Sequence, residues 1–188
     1  MLSRRDIASV IAGLNAVMRF RSDAFGYFDA SLGGFWKSFW AAAVTAPIWL
    51  VLVTRHMTEA QAAAPATYLL AHSVAYAIGW LAFPLLMVRI SAFLGRWPRY
   101  FHYMVAYNWF QLCQSLLWLP LVLVSDGGPQ PSGLVAVLWL VTNGLLFAYG
   151  WFLAHRGLGV DGGSAAALVL IDFLLGMLID GVTEALVQ

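Results

Sequence analysis

Charged residues are scarce in this chain of 188 residues. Only 10% are Asp, Glu, Lys or Arg, whereas 62% are apolar, and typical globular proteins have about 25% charged residues. The net charge of +1 argues against a nucleic-acid partner, because binding phosphates needs a strongly basic face. The single cysteine, Cys113, excludes a disulfide framework and a cysteine-based metal site. A mean hydropathy of +0.79 would leave a water-soluble protein with an excessive apolar surface, so the chain suits a lipid bilayer.

Catalytic motifs are also missing. The histidines show no metal-ligand spacing, and neither G-x-S-x-G nor H-E-x-x-H occurs. The sequence therefore predicts no metal, no cofactor and no enzymatic activity, and a membrane-embedded enzyme ranks last among the function classes.

Long apolar runs are what the chain has. A membrane helix needs about 20 mostly apolar residues, and five segments qualify: 35–53, 66–94, 100–125, 132–155 and 164–187. These runs are continuously apolar rather than alternating, which indicates helices rather than a strand barrel. We therefore expect an all-α polytopic membrane protein, with a cytoplasmic region at 1–34 and a bundle of five transmembrane helices at 35–188.

Basic residues are distributed asymmetrically about these segments. With five spans, nine of the ten Lys and Arg residues fall on one side, and only Arg55 falls on the other. Lys and Arg mark the cytoplasmic side of membrane proteins. The sequence thus predicts a bacterial inner (plasma) membrane protein with a cytoplasmic N-terminus and an external C-terminus.

The region before the first span predicts an amphipathic helix and a linker. Apolar residues recur there at helical spacing, and Ser3 with Asp6 forms a typical N-terminal cap. Two interpretations stay open: the helix lies on the inner leaflet, or it packs against the cytoplasmic ends of the bundle. According to the first interpretation, the arginines contact anionic lipids of the inner leaflet. The stripe is Ile7, Val10, Ile11, Leu14, Val17 and Met18; the arginines are Arg4, Arg5 and Arg19. In the linker, at 22–34, Phe25, Tyr27 and Phe28 are expected in the headgroup zone.

Polar residues inside the apolar segments are the candidate functional residues, because burying them in hydrocarbon is costly. Asn108 in the third segment and Asp172 in the fifth lie at similar depth, about 12 Å from the cytoplasmic end. Gln111 and Asn143 lie about one turn deeper. Two hypotheses follow for this cluster. It forms a proton or cation pathway centred on Asp172, or it forms structural hydrogen bonds in which a protonated Asp172 donates to Asn108 or Asn143.

Two further features lie nearer the predicted outer surface. Asp180 and Glu184 continue an acidic stripe from Asp172, and His72 in the second segment is expected to face Asp180 as an outer pair. The small residues Ala71, Ala75 and Gly79 recur every fourth position, which favours close helix packing within the bundle or in a homodimer.

Residues 28–39, with the sequence FDASLGGFWKSF, resemble the lead-in to the first span in small bacterial proteins of the Ypt-interacting-protein (Yip) family. The five predicted spans and short connections resemble that family as well, although the D-L-Y-G-P-type motif of its eukaryotic members is not present. The resemblance implies a non-enzymatic membrane protein with membrane-protein partners, and it assigns no site residues.

Two function classes follow. The first is a non-catalytic scaffold or membrane-organising protein that acts through helix packing and its basic inner face. The alternative is a small transporter or channel with a polar pathway around Asp172. A water-accessible cavity reaching Asp172 and Asn143 would favour transport, and a dry hydrogen-bonded cluster would favour the scaffold.

Overall fold

The computed structural model of the protein describes residues 2–55, 57–63, 65–124 and 133–187. Every regular element in these ranges is helical. The α-helices are α1 (Arg4–Met18), α2 (Leu32–Ser38), α3 (Trp40–Arg55), α4 (Glu59–Ala63), α5 (Pro65–Phe93), α6 (Tyr100–Val124), α7 (Gly133–Phe152) and α8 (Gly162–Val187). Two 3-10 helices, at Ser22–Tyr27 and Trp97–Arg99, and a π-helical turn at Leu153–Leu158 complete the fold.

Consecutive long helices run in opposite directions. The Tyr68 hydroxyl, at the start of α5, donates to the carbonyl of Val53 near the end of α3 (3.3 Å). The Tyr100 hydroxyl, at the start of α6, donates to the Pro84 carbonyl in the last third of α5 (3.0 Å). The long helices therefore form an up-and-down bundle with short connections.

Helix α6 is the centre of this bundle. It packs against α1, α2, α3, α5 and α7, and Tyr103, Met104, Val105 and Ala106 in its first half are almost fully buried. Near its other end, the rings of Trp118 in α6 and Trp139 in α7 lie 4.5 Å apart. Helix α6 therefore has neighbours from the bundle along most of its length.

Within the described residues, four helical stretches are long and apolar enough to cross a membrane: Leu32–Arg55, Pro65–Phe93, Gly133–Leu158 and Gly162–Val187. The membrane character predicted from composition is therefore supported. Helix α6 occupies the third predicted segment but is not among the four, because its polar residues lower its hydropathy. The segment ends predicted at Ser125 and Ser132 lie outside the described residues.

The chain before the first membrane stretch is folded rather than a linker lying in the headgroup zone. Phe25 and Phe28 are only 4% and 6% exposed. The Phe28 ring covers Gly13 in α1, and the Phe25 ring covers Gly157 in the π-helical turn, each so closely that a Cβ on the glycine would lie within 3 Å of the ring. The headgroup expectation is wrong for Phe25 and Phe28 because both side chains find apolar partners inside the protein, whereas Tyr27 is 38% exposed.

Helix α1 begins as the sequence predicts. The Ser3 hydroxyl accepts from the Asp6 amide (3.1 Å), and the Asp6 carboxylate accepts from the Ser3 amide (2.8 Å), which forms a capping box. Leu14 and Val17 are buried, whereas Ile7 and Ile11 are 47% and 62% exposed. Only part of the predicted stripe is thus buried, on the side that packs against α6 and the first 3-10 helix.

Candidate functional site

A cavity of about 560 Å³ lies between α3, α5, α6, α7 and α8. Its wall includes all six polar residues that the sequence predicts as a cluster and an outer pair: His72, Asn108, Gln111, Asn143, Asp172 and Asp180. A water molecule needs about 30 Å³ in the liquid, so the cavity is large enough for several. The structure therefore brings these residues to one space.

Tyr107 organises the part of the cavity around Asp172. Its hydroxyl donates to Oδ1 of Asp172 (2.7 Å) and accepts from Nε2 of Gln111, one turn later in α6 (2.9 Å). Because the amide supplies its own hydrogen, the single hydroxyl hydrogen is free to point at the carboxylate. Gln111, Tyr107 and Asp172 thus form a directed chain of hydrogen bonds from α6 to α8.

Asn108 does not bond to Asp172 as the structural-hydrogen-bond hypothesis expects. Its Nδ2 donates to Oγ of Ser38 (2.8 Å), and that hydroxyl donates to the Phe35 carbonyl (2.6 Å). Since the Ser38 hydrogen is already used, Ser38 can only accept from Asn108, which fixes the orientation of the amide. Oδ1 of Asn108 is then buried without a hydrogen-bond partner in the described part of the chain. Asn108 turns towards α2 because it lies about 100° around α6 from Tyr107.

Asn143 lines the same cavity but is tied to its own helix. Its Nδ2 donates to the carbonyl of Trp139, one turn earlier in α7 (2.8 Å). The expected donation from Asp172 to Asn143 is not present among the described residues, where the hydrogen bond of Asp172 is the one accepted at Oδ1 from Tyr107. Asn143 and Asp172 both line the cavity because they lie at similar depth in the bundle. Which residues they bond to depends on how each helix is rotated about its axis.

His72 lies near both acidic residues of the outer part of α8, since it interacts electrostatically with Asp180 and is in direct contact with Glu184. Nε2 of His72 lies 3.6 Å from Oε1 of Glu184, a distance for an ion pair but too long for a hydrogen bond. The His72 ring also packs against Tyr68, with ring centroids 4.3 Å apart. Glu184 is thus the carboxylate in contact with His72, whereas Asp180 lines the cavity below it. On α8, Asp172 and Asp180 are eight residues apart, about 12 Å along the axis.

The charge of the cavity wall has one predominant sign. Asp172 and Asp180 supply carboxylates, and among the described residues of the wall His72 is the basic side chain, with neither Lys nor Arg present. Low-dielectric walls lined by one sign of charge concentrate ions of the opposite sign. The cavity therefore favours cations. In the described residues, no group of three or more His, Cys, Asp or Glu side chains is placed to hold a metal ion.

The small-residue ridge does not bring another helix of the chain close along its whole length. A Cβ at Gly79 would meet no atom within 4 Å, and both Ala75 and Gly79 line the cavity. Ala71 is half-buried. At Gly79, therefore, the expectation of close packing within the bundle is wrong because the cavity separates the helices there.

The predicted inner-leaflet arginines lie at the start and end of α1. Arg4, Arg5 and Arg19 are exposed. Leu14 and Val17 of α1 are buried on the bundle, as the packed interpretation expects, and contact of the arginines with anionic inner-leaflet lipids stays a prediction.

Sequence reasoning missed four residues that line the cavity or bond to its wall: Tyr107, Ser38, Thr45 and Tyr76. Thr45 of α3 and Tyr76 of α5 share a hydrogen bond (2.7 Å) on another wall of the cavity. The spacing of Tyr107 and Gln111, one turn apart, is a signal in the sequence that they share a face of α6. No such signal exists for Ser38, which is 70 residues from Asn108 in the chain.

Comparison with known proteins gives no further constraint: no family model, no curated protein and no solved structure matches this chain. The resemblance to the Yip family stays a prediction. The function is therefore argued from the chemistry of the cavity.

Proposed function

We propose that this chain is an integral membrane protein in which five helices cross the bilayer and enclose a pathway for cations, so that it acts as a small transporter or channel. The observation that carries the proposal is the cavity of about 560 Å³ that reaches both Asp172 and Asn143. A dry cluster would instead favour the scaffold that the sequence ranks first.

Helix α6 is the fifth span in this proposal. It has 25 residues, which gives a length of about 37 Å, enough to cross the roughly 30 Å hydrocarbon layer. Its polar residues face the protein rather than lipid: Asn108 is fully buried, and Tyr107 and Gln111 line the cavity. Hydropathy underrates such a helix, because neighbouring helices cover its polar face.

The orientation follows from the basic residues. Arg99, at the start of α6, donates to the carbonyl of Arg156 in the π-helical turn (3.3 Å), and Lys37 pairs with Asp6 of α1 (3.1 Å). These contacts gather Lys and Arg at one end of the bundle, and Arg55 ends α3. By the positive-inside rule that end is cytoplasmic, which supports an N-terminus inside the cell. The bacterial inner membrane is part of the proposal.

Cation flux into vesicles tests the proposal. The purified full-length chain is reconstituted, and proton and alkali-cation flux are compared between wild type, Asp172→Asn and a matched control, Asp23→Asn. Asp23 is exposed and paired only with Arg21 in the described structure. We expect Asp172→Asn to lower the flux about tenfold or more, as the loss of a charge-assisted contact of about 1.5–3 kcal/mol implies, with the control unchanged. Absent flux in wild type, or equal flux in both variants, would contradict a pathway through Asp172 and favour the scaffold.

A further inference from the structure

We propose that the cavity binds an organic ammonium ion: a primary or secondary amine that carries an aromatic or apolar group. This inference rests on the proposed function, because it names the class of cation that enters the pathway. Two features of the wall support it: an oriented carboxylate and an aromatic surround.

The carboxylate is Asp172. Tyr107 donates to its Oδ1, while no described residue donates to Oδ2. The hydrogen of Tyr107 holds the carboxylate in place, and the second oxygen stays available for a solute. An ammonium group with two or more N–H bonds suits acceptors of this kind, whereas an anion or a pure acceptor does not.

The side chains around the Asp172 carboxylate are largely aromatic. Nine of the described residues in the wall are Phe, Trp or Tyr, and the rings of Phe83 and Tyr107 lie 4.8 Å apart beside the carboxylate. Aromatic faces attract organic cations but give no oxygen ligands to a hard metal ion, which takes about six of them. The cavity volume of about 560 Å³ lies within the range of small-molecule sites, about 300–1,000 Å³.

Binding of 2-phenylethylammonium chloride to the detergent-purified full-length chain, measured by calorimetry, tests this inference. The comparison compounds are 2-phenylethanol, which lacks the charge, the trimethylated ammonium analogue, which lacks N–H donors, and sodium chloride. We expect saturable binding of the amine, and at least about tenfold weaker binding of each comparison compound. Binding of the trimethylated analogue as tight as that of the amine would overturn the role of the N–H donors, and displacement of the amine by sodium would assign the site to a metal cation instead.

Variants locate the site. Asp172→Asn removes the charge of the carboxylate and is expected to weaken amine binding about tenfold, whereas Asp172→Glu keeps a carboxylate and is expected to retain binding. Thr183→Val is the control, because Thr183 is buried in α8 and bonded to its own helix. If Asp172→Asn fails to fold, Tyr107→Phe carries the test, because it removes the hydrogen bond that orients the carboxylate. Unchanged affinity in a folded Asp172→Asn or Tyr107→Phe variant would overturn the site.

The two proposals fail separately. Amine binding without any cation flux in vesicles would contradict transport and leave the binding site standing. Proton or alkali-cation flux without amine binding would support the pathway and overturn the inference about its solute.

Discussion

Two glycines of this chain have opposite surroundings. A Cβ at Gly34 would lie 1.8 Å from the backbone oxygen of Asp29, whereas a Cβ at Gly79 would meet nothing within 4 Å. Backbone atoms cannot move aside as the tip of a side chain can, so the residue type at Gly34 is dictated by the close approach of the chain. The open space beside Gly79 is part of the cavity.

We therefore expect Gly34→Ala to destabilise the protein by about 3 kcal/mol or more, at the upper end of overpacking costs. Gly79→Ala, the matched control, should leave stability unchanged or slightly higher, since Ala favours a helix. Thermal unfolding of both variants in the same detergent measures the difference. Equal midpoints for the two variants would contradict the packing of 28–39 against itself.

Tyr107 is the residue on which the hydrogen-bond chain depends. Tyr107→Phe keeps the ring but leaves Oδ1 of Asp172 and Nε2 of Gln111 without their partner. We expect a loss of about 1–3 kcal/mol in the free energy of unfolding, together with weaker cation flux. Tyr27→Phe, an exposed tyrosine, is the control in the same unfolding measurement, and a loss as small as the control's would show that the chain of bonds contributes nothing.

At the scale of elements, an ion pair joins α1 to the first membrane stretch. Asp6 Oδ2 lies 3.1 Å from Nζ of Lys37. The hydrogen bond from the Ser3 backbone, and then the Lys37 ammonium, lower the pKa of the Asp6 carboxyl below its usual value. Because the pKa of Asp6 is lower in the folded than in the unfolded state, ionised Asp6 stabilises the folded state. This stabilisation is fully present above the unfolded-state pKa of about 3.9, and it is lost as the pH falls through the folded-state pKa.

We therefore expect α1 to loosen in acid, below about pH 4. Hydrogen exchange of α1 amides, referenced to α8 in the same sample, measures this across pH 7 to pH 3. Asp6→Asn should exchange faster at pH 7 and show no further loss in acid, while Asp23→Asn, whose partner is Arg21, should behave as wild type. Parallel pH profiles for wild type and Asp6→Asn would rule out a stabilising role of the Asp6–Lys37 ion pair for α1.

For the whole molecule, the connection between α7 and α8 distinguishes five spans from four. If α6 crosses the membrane, this connection lies on the same side as the N-terminal region; if α6 does not, it lies on the opposite side. Gly163 is exposed there, Ser22 is exposed in the N-terminal region, and Glu59 is exposed between α3 and α5.

Single-cysteine variants at these three positions, made in a Cys113→Ala background, are labelled in intact cells with a membrane-impermeant thiol reagent. We expect Glu59→Cys to react, and Ser22→Cys and Gly163→Cys to react only after the cells are opened. Labelling of Gly163→Cys together with Glu59→Cys in intact cells would show four crossings.

Much of the molecule was open to prediction from the sequence. The helices, the Ser3–Asp6 cap and the arrival of His72, Asn108, Gln111, Asn143, Asp172 and Asp180 at one cavity follow from hydropathy, capping chemistry and depth along helices. The hydrogen-bond and ion-pair partners of these residues did not follow from the sequence. Asp172 accepts from Tyr107 rather than donating to an asparagine, and His72 contacts Glu184 rather than Asp180, because partner choice depends on helix rotation and on rotamers.

The sequence by itself determined that this chain is helical and apolar enough for a membrane, since composition and periodicity act through the free energy of transfer from water, which each residue carries with it. Only the tertiary structure decided that Phe25 and Phe28 are buried in the protein, that Gly79 faces an open space, and that Oδ1 of Asn108 has no hydrogen-bond partner among the described residues. These facts depend on which surfaces meet across distant parts of the chain, and the packing of helices against one another sets them.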